Sequence, residues 1–139
     1  MTMQRVPPLG VVSLLCGLAI GCGGGPPDAD SLRTAFAEQI MSVSTVGNFD
    51  RDGDQLTFTG PGASGGEAAW LVRIDSAVVE PHEDQSVPYR GLITSSWYAD
   101  GQLIEPVGTM SGLPSAFLDI GIAQDCWGLW DPTEGRWTW

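Results

Sequence analysis

From Ala68 to Val79 the chain alternates. Trp70, Val72, Ile74 and Val78 fall on one face, and Leu71, Arg73, Asp75, Ala77 and Val79 on the other. Residues two apart share a face only in an extended strand, so this run commits the chain to a fold built on a sheet. Tyr89 to Ala99 repeats the pattern with Ile93 and Trp97 in phase, and Gln55 to Thr59 does so with Leu56 and Phe58. Asp100-Gly101 suits the positive φ angles of a tight hairpin and predicts that Gln102 to Val107 returns antiparallel. Pro88 and Pro106 then stand at strand ends, where a missing N–H does no harm.

The flanks add a helix and a second hairpin. Leu32, Phe36, Ile40 and Val43 recur at three- and four-residue spacing, which predicts a helix of roughly 13–16 residues opened by the N-cap pair Asp30-Ser31. In the tail, Leu113-Pro114 begins a short helix carrying Phe117, Leu118 and Ile122. Trp127 to Trp130, the turn Asp131 to Gly135 and Arg136 to Trp139 read as a closing β-hairpin, with at least two of its tryptophans expected over the central strands near Trp70 and Trp97. The fold class expected is α+β: an N-terminal helix packed on a curled antiparallel β-meander with a C-terminal Trp-rich hairpin. By analogy this architecture is similar to the cystatin-like and NTF2-like folds, which host unrelated functions.

Ahead of the domain lies Val11 to Cys22, an apolar run after the single charge of Arg5 and before Gly23, Gly24, Gly25, Pro26 and Pro27. It is far short of the roughly 20 residues that a membrane-spanning helix needs. The order of charge, apolar run and small residues describes a secretory signal peptide. Leu18-Ala19-Ile20-Gly21-Cys22 further resembles the lipobox of bacterial lipoproteins. The resemblance implies cleavage before Cys22, acylation of its thiol, and a lipid-anchored chain of the cell envelope. Gly23 after the cysteine leans, by the sorting rule of enteric bacteria, toward the outer membrane. A secretory signal without lipidation and a buried apolar segment are the other readings. The domains are then a signal peptide over 1–21, a flexible tether over 22–29 and one α+β domain over 30–139.

Charge limits the partners. Six arginines, no lysine and 17 acidic residues give a net charge of −11, and loss of Arg5 takes the mature chain to −12. Nucleic-acid binding rests on neutralising phosphates and is excluded. Contact with the membrane is therefore assigned to acyl chains rather than to basic residues. Once Cys22 is acylated, Cys126 has no partner for an intramolecular disulfide, and between Asp125 and Trp127 it reads as a small buried hydrophobe.

Four patterns bear on chemistry. Gly62-Ala63-Ser64-Gly65-Gly66 matches G-x-S-x-G, but it precedes a strand instead of a helix, and the only histidine, His82, lies in another loop. Asn48, Asp50, Asp52 and Gly53, followed by Asp54, resemble the first half of an EF-hand calcium loop. The twelfth position is Thr59 where the loop needs a bidentate Glu, and an acidic turn accounts for the same residues. One histidine and one free cysteine do not make a zinc site. The tryptophans Trp130, Trp137 and Trp139 form either core or an exposed platform for a glycan or envelope-protein partner. No cofactor is implied. The chain reads as an envelope lipoprotein with a non-enzymatic binding module; a small hydrolase or a calcium-stabilised lipoprotein are the alternatives.

Overall fold

The computed structural model describes residues 26–139; Cys22, the signal segment and the first half of the tether lie outside the described residues. Helix α1 (Ala29–Met41) begins two residues earlier than the Asp30-Ser31 pair predicts. Its N-cap is Asp28, whose side chain accepts a bond from the Ser31 N–H at 2.8 Å. Leu32, Phe36, Ala37 and Ile40 form its buried stripe.

Seven strands follow: β1 (Gly47–Asp52), β2 (Gln55–Pro61), β3 (Glu67–Pro81), β4 (Tyr89–Ala99), β5 (Gln102–Leu103), β6 (Asp125–Asp131) and β7 (Arg136–Thr138). Among the described residues they make one antiparallel sheet in the order β1-β2-β3-β4-β6-β7, with β5 paired to β4. Helix α1 touches β3 and β4 in the middle of the sheet and β1 and β7 at its two edges. A flat sheet cannot bring both edges to one helix, so the sheet curls around α1. Close approach is built in at Gly91, where a Cβ would lie 2.5 Å from Leu32 Cδ2. No helix among the described residues is long and apolar enough to cross a membrane.

Three details depart from the sequence reading. A bulge between Ile74 and Ser76 inserts one residue into β3 and reverses its phase. Ala77 and Val79 therefore pack inward while Val78, expected beside Trp70, is 49% exposed. Strand β5 is two residues long, because after Leu103 the chain leaves the sheet instead of continuing to Val107. The predicted acidic turn over residues 48–54 is instead strand β1 and a hairpin turn, with Asn48 at φ 54 in its bulge.

Beyond β5 the chain crosses the end of the curl as residues 104–124, with short helix α2 (Ser115–Leu118) in the middle, and returns as β6 on the far side of β4. Leu113, Phe117 and Ile122 seal the core from this segment. The Phe117 ring lies 5.1 Å from Trp97 and 6.0 Å from both Trp70 and Phe58. A buried polar network fastens it. The Ser95 N–H donates to the Gln124 carbonyl at 2.7 Å, and the Trp97 indole N–H donates to Ser95 Oγ at 3.0 Å. Gln124 Nε2 donates in turn to the Ser111 carbonyl at 2.6 Å and the Ile104 carbonyl at 3.2 Å. With these partners satisfied, the polar groups hold the segment in one place at little desolvation cost.

Candidate functional site

The inward phase of the last two strands decides the fate of the tryptophans. Cys126, Gly128 and Trp130 alternate inward on β6, and Trp130 pairs directly with Trp137 on β7. Their rings meet edge to face at 5.3 Å. Trp137 is buried and its indole N–H donates to Ser31 Oγ at 3.1 Å. The Trp139 ring lies 5.9 Å from Phe36. These three side chains pack against α1 and the core margin, away from the Trp70–Trp97 cluster, and they do not form an exposed platform.

The acidic candidates spread along β1 and its turn. Asp54, in the turn, pairs with Arg33 at 3.1 Å, and Arg51 of β1 donates to the Thr34 hydroxyl at 3.0 Å. Among the described residues no three acidic, histidine or cysteine side chains converge as a metal site. Ser64 lies in the β2–β3 loop and His82 in the β3–β4 loop, at opposite ends of the 15-residue β3. His82 Nδ1 is 2.9 Å from the Val87 carbonyl, so it serves its own loop. Cys126 is buried, and burial pushes its thiol up to about 11 from 9.0, which makes it a poor nucleophile near neutral pH.

Among the described residues two apolar surfaces remain open. On the convex face of the sheet, Val78, Leu92 and Trp127 lie side by side across β3, β4 and β6. The Arg90 guanidinium sits 4.7 Å from the centre of the Trp127 ring and is bonded to Glu80 at 2.7 Å. The one well-exposed indole is thus already covered on one face by a cation.

The second surface is more open. Val107 and Met110 bridge each other at the tip of the crossing segment and are 74% and 72% exposed. With Leu118, 41% exposed, and with Leu113 and Ala123 below, they line a depression of about 540 Å³. That volume is in the range of ligand pockets, roughly 300–1,000 Å³. No charged residue occurs between Glu105 and Asp119, although the chain as a whole carries 17 acidic residues. The run of thirteen uncharged residues from Pro106 to Leu118 was the signal in the sequence, and strand periodicity does not register it.

Comparison with known proteins finds no matching family model, no similar curated protein and no similar solved structure.

Proposed function

We infer that the protein is a lipid-anchored lipoprotein of the cell envelope, sorted to the outer membrane, whose small domain is a non-enzymatic interaction module. The anchor reading is supported by the order Arg5, apolar run, Leu18-Ala19-Ile20-Gly21-Cys22 and Gly/Pro tether. The module reading is carried by one observation, the apolar depression under Val107, Met110 and Leu118. Large apolar side chains left in water beside a hollow favour a partner that covers them. Its lining offers few polar groups, which fits an apolar segment of an envelope protein better than a glycan, whose hydroxyls need bonding partners. The helix held in the hollow of a curled sheet supports an architecture like that of the cystatin-like and NTF2-like folds, with the crossing segment as the variable part.

The two halves of this reading have separate tests. Cys22→Ser should move the protein out of the membrane fraction or leave its precursor uncut. A native chain that starts elsewhere and carries no added diacylglycerol mass would overturn the anchor. For the module, a photo-crosslinking side chain at Met110 should give a discrete adduct in whole cells, and one at Thr133, an exposed hairpin position, should not. Equal, diffuse labelling from both positions would remove the depression from consideration.

A further inference from the structure

Strand β3 is longer than its neighbour on one side. β2 pairs with it only from Glu67 to Arg73, whereas β4 continues to Pro81. Residues 75–81 therefore form an open edge, and among the described residues no backbone hydrogen bond reaches its free side. The His82 N–H donates to the Pro88 carbonyl at 2.8 Å, toward β4. By strand alternation Val78 and Glu80 also face β4. Ala77 and Val79 then turn both N–H and C=O to the open side, and Pro81 turns its carbonyl there. Where β2 stops, a notch of about 410 Å³ lined by Asp52, Asp54, Gln55, Arg73, Ile74 and Asp75 leaves room for a further strand. An unpaired edge with Val78 half exposed at its centre is a template for strand addition.

The edge matches itself. We propose that it pairs antiparallel with the same edge of a second copy, about a two-fold axis through Val78. In that register Ala77 stands opposite Val79 of the second copy, and each such pair exchanges both backbone hydrogen bonds. Val78 meets Val78 of the second copy on the convex face, Ser76 meets Glu80, and Asp75 meets Pro81, so no like charges face each other. A shift of two residues either way sets Val78 against Glu80 or Ser76 and loses the apolar centre. The register ends at Pro81, because Ile74 and Arg73 are already paired with Asp54 and Gln55 of the β1–β2 hairpin. An isologous contact must be self-complementary in this way. The net charge of −11 on each copy opposes the contact, so it strengthens as salt screens the repulsion. The inference stands on the edge alone; it requires neither acylation of Cys22 nor a partner at the 107–118 depression.

The test is disulfide trapping in the full chain purified in mild detergent, read on non-reducing gels against the unmutated protein as background. Val78→Cys, in a closely spaced non-hydrogen-bonded pair, should crosslink to twice the chain mass under mild oxidation. Val107→Cys is more exposed, at 74%, and should remain at the collisional yield. The Val78→Cys yield should rise with sodium chloride and fall when Val79→Pro removes an N–H from the open side. Equal yields from Val78→Cys and Val107→Cys would overturn the proposal. So would an unchanged yield in a Val79→Pro variant that keeps its circular dichroism. If Val79→Pro does not fold, sedimentation of the unmutated chain decides: two chains per particle at high salt supports the dimer, and one chain at every concentration overturns it.

Discussion

At Gly91 a single missing methyl group sets how closely the helix can approach the sheet. The contact atoms are the branched end of Leu32, itself fully buried, so Leu32 has little room to yield. Gly91→Ala should destabilise the domain by about 1–3 kcal/mol in a denaturant melt. Adding Leu32→Ala should cost less in that background than in the wild type, because the clash is already relieved. Cys126 gives a second measurement at this scale. Burial holds its thiol neutral up to about 11, while the unfolded thiol ionises from 9.0. Above pH 9 the unfolded chain releases a proton that the fold retains, so stability falls as pH rises from about 9 to about 11. Comparing melts of wild type and Cys126→Ala isolates this slope, and the absence of lysine removes the commonest competing titration in that range. If the two proteins lose stability in parallel, the thiol is not held neutral by the fold.

Elements with a strong period were legible; those set by context were not. The α1 stripe and the inward faces of β2 and β4 follow from apolar spacing and are where the sequence places them, except Val43, which lies past the end of the helix at Met41. β1 escaped because Phe49, stacked on Phe58 at 5.9 Å, is its one large apolar residue, and the Asn, Asp and Gly around it are those of a turn. The β3 bulge is equally silent: inserting Asp75 leaves the alternation of residue types intact while turning Val78 outward. For the same reason periodicity puts Trp130 out of phase with Trp127 but does not say which of them faces the core. The hairpin of β6 and β7 tests that assignment. Trp137→Ala should cost about 3–5 kcal/mol, since it empties a buried indole site. Trp127→Ala, at 46% exposure, should cost about 1 kcal/mol or less, mainly its contact with Arg90. Similar costs for the two would mean that the inward and outward faces are assigned the wrong way round.

For the molecule as a whole, charge works against compactness. A domain with a net charge of −11 and two ion pairs among its described residues repels itself. Its melting temperature should rise between about 0.01 and 0.1 M sodium chloride, as the screening length falls from about 30 to about 10 Å. A flat response would show that the acidic residues lie too far apart to matter. The bond from Trp137 to Ser31 has a further consequence, and it concerns time. Its two ends lie 106 residues apart, and Trp139 closes on Phe36 across a comparable span. At about 5–20 residues per second, α1 leaves the ribosome roughly five to twenty seconds before the strand that seals it. Among the described elements the first one made is fully enclosed only when the last is added: β3 and β4 can cover Leu32 early, but the side of Phe36 that meets Trp139 stays open to a holdase until Trp139 arrives.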